Sequence, residues 1–184
     1  MAGQVLGIMG SPRKNGNTHV LMEKTLEGAR EKGAITETLF LGDLTIQECT
    51  GCHVCWITQE CTRNDDMISI YHKIIASDII IFGTPVYWYG PTALIKCFID
   101  RLAYFNGEPN RKGIRGKKAA IIIPFEENNP ETVRPVIAFF EKALQYLEMR
   151  LTAQLIVPGV SQRGEVVKQE QVIKEAYELG KTLL

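Results

Sequence analysis

Apolar and polar positions along this chain alternate between two periods. Short apolar runs of strand length are separated by longer stretches with helical spacing. The first run, Val5-Leu6-Gly7-Ile8-Met9, places a strand over about Gln4 to Met9. A helical pattern follows from about Asn17 to Lys32, with Val20, Leu21, Thr25 and Ala29 facing inward and Gly33 as its stop. A second strand is expected over about Ile35 to Leu41. Asp65-Asp66-Met67 reads as a helix start, because Asp favours the N-cap and its charge suits the dipole. That helix is expected to bury Met67, Ile70, Ile74 and Ile75. Asp78 to Gly83 is apolar on both faces, as at the centre of a parallel sheet. The loop Thr84 to Pro91 leads into a helix over about Thr92 to Tyr104. A fourth strand lies within Lys117 to Pro124 and a long helix within Pro130 to Glu148. A fifth strand over Leu151 to Val157 and a helix over about Gly164 to Leu183 complete the pattern.

Five buried strands alternating with five helices predict an α/β fold, a doubly wound five-stranded parallel sheet in the order 2-1-3-4-5. Ligands of such sheets bind outside the C-terminal ends of strands one and three, where the order reverses. No repeat, low-complexity segment or linker interrupts the chain, so residues 1–184 are expected to form one domain with a cysteine-rich insertion at about 47–64.

Composition narrows the function classes. Apolar residues make up 45% and charged residues 23%, as in soluble globular proteins. Lys plus Arg and Asp plus Glu number 21 each, which gives no hint of a nucleic-acid or membrane-surface partner. No apolar run approaches the roughly 20 residues that span a bilayer. A strand begins within a few residues of the start, leaving no room for a signal peptide, so the expected compartment is the cytoplasm. The five cysteines are then not expected to form structural disulfides.

Candidate chemistry lies in three loops. The first is Gly10-Ser11-Pro12-Arg13-Lys14-Asn15-Gly16-Asn17-Thr18, between a strand and a helix N-terminus. Free backbone N–H groups and the helix dipole there favour an anion. Ser11 and Thr18 add hydroxyls, Asn15 and Asn17 add amides, and Arg13 adds a planar fork suited to phosphate. The loop matches neither the Walker A pattern nor G-x-G-x-x-G. A terminal, singly esterified phosphate such as that of FMN therefore fits better than a pyrophosphate. The plainer reading is a turn that merely starts the helix. The second loop carries Pro85, Val86, Tyr87, Trp88, Tyr89, Gly90 and Pro91 beside the first. Aromatic walls and backbone donors suit a planar ring system, although some of these aromatics are expected to pack on a helix or a second subunit.

The third loop holds Cys49, Cys52, Cys55 and Cys61. Compact C-x2-C-x2-C-x5-C spacing suits a [4Fe–4S] cluster. Zinc also accepts four thiolates, and thiols that pack locally or act in redox chemistry are the third reading. Cys97 falls within an apolar helix and reads as a core residue. His53 is expected to be a solvated loop residue, although its place between cysteines makes it an alternative ligand.

Together, Gly10-Ser11-Pro12-Arg13…Gly16-Asn17-Thr18, the cysteine segment ending in Asp65-Asp66-Met67, and Gly83-Thr84-Pro85-Val86-Tyr87-Trp88 with Lys96, Phe98, Asp100 and Arg101 resemble the flavodoxin-fold NAD(P)H-dependent FMN reductases. They resemble the iron-sulfur flavoprotein branch most closely. The resemblance covers about the first two thirds of the chain. It implies FMN, with phosphate at Ser11, Arg13, Asn17 and Thr18 and the isoalloxazine ring against Pro85 to Gly90. It also implies a homodimer or homotetramer with flavin near the subunit interface. The loop Phe125-Glu126-Glu127-Asn128-Asn129-Pro130 departs from the glycine-rich loop often found after strand four, so no flavin contact is assigned there. Lys96, Asp100 and Arg101 read more simply as surface pairing on a helix.

The expected function is FMN-dependent electron transfer between a reduced donor, NAD(P)H or ferredoxin, and an acceptor. The route passes through a cluster if one is bound. A cluster-free NAD(P)H-dependent FMN or quinone reductase is the alternative, followed by a non-enzymatic carrier of the flavodoxin kind. A receiver domain of similar fold would need an acidic pocket at the end of strand one, and Met9-Gly10-Ser11 does not supply it. The flavin carries the chemistry, so no catalytic side chain is assigned.

Overall fold

A computed structural model describes residues 2–184. Its strands are β1 (Gln4–Met9), β2 (Ile35–Phe40), β3 (Ile79–Gly83), β4 (Lys118–Pro124) and β5 (Arg150–Val157). Its helices are α1 (Asn17–Glu31), α2 (Val54–Thr58), α3 (Met67–Ala76), α4 (Ala93–Arg101), α5 (Glu108–Arg111), α6 (Pro130–Tyr146) and α7 (Glu170–Thr182). All five strands are parallel, in the order β2-β1-β3-β4-β5. The sheet and its order are those expected from the sequence.

Two apolar layers cover the sheet. Leu6, Ile8, Ile80, Phe82, Ile121 and Ile123 point to one face, against α3, α4 and α6. Val5, Met9, Ile79, Ile81, Ala120 and Ile122 point to the other, against α1 and α7. The central strands β1, β3 and β4 are almost wholly buried, which explains their unbroken apolar runs. The outer strands correct the expectation of five buried strands. β2 and β5 alternate exposed and half-buried residues, because each lies at a sheet edge.

Three helices also differ from expectation. In α3, Ile75 is 43% exposed and Tyr71 takes the buried place, so the inward stripe is Met67, Ile70, Tyr71 and Ile74. Asp66 does not cap α3 through its side chain. Its carboxylate instead accepts the Thr45 N–H at 2.7 Å, while Asp65 accepts the Met67 N–H at 3.1 Å. The helix expected to run to Tyr104 becomes a 3-10 turn over Leu102–Asn106. The expected final helix is interrupted as well: a 3-10 turn, Glu165–Lys168, precedes α7.

Helices α1 and α7 touch backbone to backbone. A Cβ on Gly180 would lie 1.8 Å from the Thr25 carbonyl oxygen, and one on Gly28 would lie 2.0 Å from that of Tyr177. Alanine gains about 1 kcal/mol of intrinsic helix propensity over glycine. Overpacking against rigid backbone costs about 1–3 kcal/mol, occasionally more. The clash should win here. Gly180→Ala is expected to lower the denaturant midpoint, corresponding to a net loss of up to about 2 kcal/mol. A midpoint that rises would show that the helices separate freely.

Candidate flavin cleft and cysteine site

The cleft opens at the C-terminal ends of β1 and β3. Gly10 ties the two loops there together. Its N–H donates to the Gly83 carbonyl at 2.8 Å, and its carbonyl accepts the Thr92 hydroxyl at 2.6 Å. Thr92 also caps α4, accepting the Ile95 N–H. A Cβ on Gly10 would sit 2.0 Å from a side-chain carbon of Ile95, so only glycine fits.

Ser11, Arg13, Gly16, Asn17 and Thr18 line the cleft on one side. Pro85, Val86 and Tyr87 line it on another. Asn15, Trp88 and Gly90 stand outside this wall. The N–H groups of Asn17, Thr18 and His19, in the first turn of α1, have no protein acceptor among the described residues. The first turn carries no acidic residue. Both features suit an anion at this helix start. Ser11 is buried, and its hydroxyl accepts the Arg13 N–H at 3.2 Å. The Asn15 N–H donates to His19 Nδ1 at 2.8 Å. The Asn17 amide is committed elsewhere: it donates to the Gln162 carbonyl at 3.0 Å and accepts the Val166 N–H at 3.1 Å.

Two further stretches join the wall. Pro124, Phe125 and Glu126 follow β4, and Val160, Ser161, Gln162 and Arg163 follow β5. No motif marks the second stretch along the chain. Only the topology, which ends every parallel strand at one edge, brings it to the cleft.

The aromatic loop ends in a two-residue turn. Tyr87 and Gly90 exchange N–H to carbonyl bonds at 2.9 and 3.0 Å, and Trp88 and Tyr89 both have positive φ, 48° and 59°. Two adjacent left-handed residues define a type I′ turn, a shape that aromatic residues rarely take. It holds Trp88 out in solvent, 96% exposed, with Tyr89 60% exposed beside it.

The cysteine segment surrounds a second cavity of about 270 Å³, lined by all four thiols together with Trp56 and Arg101. None of the chain's cysteines is disulfide-bonded. Among the described residues, no three His, Cys, Asp or Glu side chains converge closely enough to hold a single metal ion. The four thiols instead border one space wider than an ion. The Val54 N–H beside the exposed Cys52 lowers its thiol pKa, while burial and the neighbouring thiols raise that of Cys55. His53 stacks on Trp56, with ring centroids 3.8 Å apart. Cys97 is only partly buried, and its thiol faces the Ile46 carbonyl at 3.6 Å.

Arg101 corrects the expectation of surface pairing. Lys96 and Asp100 do pair on the surface at 2.7 Å, but the Arg101 and Asp65 side chains are 1% and 0% exposed. Arg101 Nη1 donates to Asp65 Oδ2 at 2.5 Å and to the Gln47 carbonyl at 2.8 Å. Its Nη2 donates to Asp65 Oδ1 at 3.1 Å and faces Cys61 Sγ at 3.4 Å. Asp65 also accepts the Gln47 N–H at 2.9 Å. The pair thus closes the base of the cysteine loop from both ends. Trp56 Nε1 on the Ala103 carbonyl and Asn110 Nδ2 on the Cys55 carbonyl hold its middle, at 2.8 and 3.2 Å.

The parallel sheet, phosphate-type loop and flat apolar wall define the class of flavodoxin-like flavoproteins. An NAD(P)H:quinone oxidoreductase from Methanothermobacter marburgensis has the same fold, with a TM-score of 0.77 at 18% identity over 100% of this chain and 96% of that one. Residues 4–129 match the NADPH-dependent FMN reductase family. An iron-sulfur flavoprotein of Archaeoglobus fulgidus is 30% identical over 179 residues, 95% of this chain and 80% of the relative. Another, from Methanocaldococcus jannaschii, is 40% identical over 98 residues, 53% of this chain and 51% of the relative, so this match spans about half of either protein. The chain belongs to the NADPH-dependent FMN reductase family and is an FMN-dependent oxidoreductase. Among the described residues, no helix is long and apolar enough to cross a membrane.

Burial raises the Asp65 pKa, but the Arg101 hydrogen bonds, the Gln47 and Met67 N–H groups and the guanidinium charge outweigh it and leave the pKa depressed. A depressed carboxyl pKa stabilises the fold fully above the unfolded value, near about 3.9, and the contribution is lost as pH falls through the folded value. Removing one partner of a buried pair strands the other charge, at about 3–5 kcal/mol. Arg101→Met is therefore expected to lose about that much stability at neutral pH. The gap to the unaltered protein should narrow below about pH 4, where Asp65 takes up a proton. Denaturant titrations across pH would show this, and a gap that is small or independent of pH would refute this role of the Arg101–Asp65 pair.

Proposed function

We propose that the cleft holds FMN, with its phosphate at Ser11, Arg13, Thr18 and the first N–H groups of α1, and its ring against Pro85, Val86 and Tyr87. The observation that carries this reading is the convergence of an anion-ready helix start and a flat apolar wall in one cleft at the β1/β3 switch point. Bound FMN supplies hydride and one-electron chemistry. The chain's part is to bind, orient and shield. The α1 N–H groups and Arg13 neutralise the phosphate, and the Gly10–Gly83–Thr92 bonds fix the spacing between the two walls. NAD(P)H is the proposed donor, consistent with the family's description. Five unpaired cysteines support a reducing compartment, the cytoplasm.

The cysteine cavity favours a second element, a [4Fe–4S] cluster on Cys49, Cys52, Cys55 and Cys61. Its support is the four thiols around one cavity and the two archaeal relatives named as iron-sulfur flavoproteins. The cluster would relay single electrons between flavin and an external partner such as a ferredoxin. Helix α4 starts at the cleft and ends at the cysteines, a rise of about 13 Å along its nine residues.

An absorbance spectrum of protein purified without oxygen, with iron and sulfide assayed on the same sample, tests both parts. The expected result is flavin bands on a broad background with about four iron and four sulfide per chain. Steady NAD(P)H consumption with a soluble acceptor separates a reductase from a pure carrier. Flavin bands alone would refute the cluster and leave a simple FMN or quinone reductase. Neither flavin nor iron, even after FMN is added, would sink both readings.

The exposed Trp88–Tyr89 tip, beside the cleft and held in an unfavourable backbone shape, supports a homodimer or dimer of dimers with flavin near the interface. Sedimentation should give at least twice the chain mass. Trp88→Asn, which keeps a residue tolerant of positive φ, should shift the protein toward monomer. Unchanged assembly would place the interface elsewhere.

A further inference from the structure

The segment between β5 and α7 carries no recognisable motif, yet it lies against the phosphate-type loop through a set of specific contacts. The Asn17 side chain holds it at the Gln162 carbonyl and the Val166 N–H. A Glu165 carboxylate oxygen accepts the N–H groups of Ser161 and Gln162 and rounds the segment into a tight turn. Gly164 has φ of +72°, and a Cβ there would lie 2.9 Å from the Asn15 carbonyl oxygen. Such closeness to the loop needs glycine. Arg163, at the tip, donates through Nε to the Lys14 carbonyl at 2.9 Å, and its Nη2 reaches the same oxygen. Among the described residues, Nη1 of Arg163 has no acceptor, and the Arg13 guanidinium has no protein partner. Both arginines line the cleft.

We propose that Arg163 is the second cation of the cofactor's phosphate site, delivered by the segment after β5 and aimed by the Lys14 carbonyl. The inference rests on the reading of the cleft as an FMN site. Charge balance motivates it. A phosphate monoester carries about −1.5 to −2 near pH 7. The start of α1 offers about half a positive charge, and Arg13 offers one. Glu126 stands in the same wall and opposes them. Lys14 is not part of this wall, and its ammonium lies 2.6 Å from Asp43. Arg163 is the remaining cation lining the cleft. Two of its nitrogens are anchored, so its planar fork is ordered before an anion arrives, and less entropy is lost on binding.

A role as a mere latch between the two loops predicts something different, and two ligands separate the possibilities. FMN and riboflavin differ only in the phosphate. Binding of each is measured by flavin fluorescence quenching on the full chain, unaltered and as Arg163→Ala and Arg163→Lys. A lost charge-assisted contact is worth about 1.5–3 kcal/mol, so Arg163→Ala should weaken FMN about ten-fold or more. Riboflavin should change by less than about two-fold, and Arg163→Lys should fall between, keeping the charge without the fork. Equal weakening of both ligands would make Arg163 a latch and overturn the proposal. So would unchanged affinity for both. If the unaltered chain binds neither flavin, the FMN reading fails and takes this inference with it. If the unaltered chain binds both flavins equally, the phosphate site fails while a ring site stands.

Discussion

Gly10 is the point at which this molecule is locked. Parallel pairing of β1 with both β2 and β3 sends the following chain to opposite faces of the sheet and leaves a crevice between two loops. A crevice alone has no fixed width. Gly10 sets it with one bond from its N–H to Gly83 and one to its carbonyl from Thr92. Because Thr92 also caps α4, the same residue fixes the anion-ready loop, the aromatic loop and the start of the helix behind them. The absence of a side chain at Gly10 lets Ile95 pack directly beneath. Hydrophobic burial holds the layers together, but it is non-directional and could not define this spacing.

From that lock the constraint runs along α4 to the cysteine segment. The far end of the helix is Arg101, and both terminal nitrogens of its guanidinium are engaged, by Asp65, the Gln47 carbonyl and the Cys61 thiol. A buried ion pair is a poor source of net stability, since apolar residues of similar volume often serve as well. Its value here is directional. The segment from Leu44 to Arg63 has only one short helix of its own, with no fully buried residue in it. Hydrophobic packing therefore gives it little definition. Hydrogen bonds from Arg101, Trp56 and Asn110 set the loop's path instead, and they put four thiols around one space. Tyr71 extends the arrangement: its hydroxyl donates to the Arg101 carbonyl at 3.0 Å, and its ring stacks on Tyr104.

What could be read from the chain follows from how local each cause is. The β1, β3 and β4 runs are apolar because both faces of a central strand are covered, so sheet and order were legible. The Gly10–Thr18 loop was legible because its chemistry is contiguous. Ile75 and Tyr71 exchanged roles because a helix stripe is about 100° wide and its edges are settled by tertiary packing. Arg101 misled because spacing identifies its i,i−4 neighbours but not Asp65, thirty-six residues away in sequence. The helix start at Asp65-Asp66-Met67 was legible, and Asp65 does accept the Met67 N–H, but Asp66 misled for the same reason as Arg101: its carboxylate serves the Thr45 N–H, distant in the chain. Ser161 to Arg163 gave no signal, since no residue there is unusual until the fold brings it to the cleft.

Trp88 and Tyr89 break a local rule of turn chemistry. Two adjacent aromatic residues with positive φ are costly, and Asn or Gly would serve the turn better. Burial within this chain does not repay that cost, since Trp88 is 96% exposed. The turn's shape does one thing for the rest of the molecule: it keeps Tyr87 and its neighbours Pro85 and Val86 against the cleft while carrying the next two rings away from it. A loop that only needed to cover a ring system could bury all three aromatics. This loop divides them, with Tyr87 on the inner wall and Trp88 and Tyr89 on the outer surface. The backbone shape of one two-residue turn thus sets both the inner wall of the cleft and the apolar tip beside it.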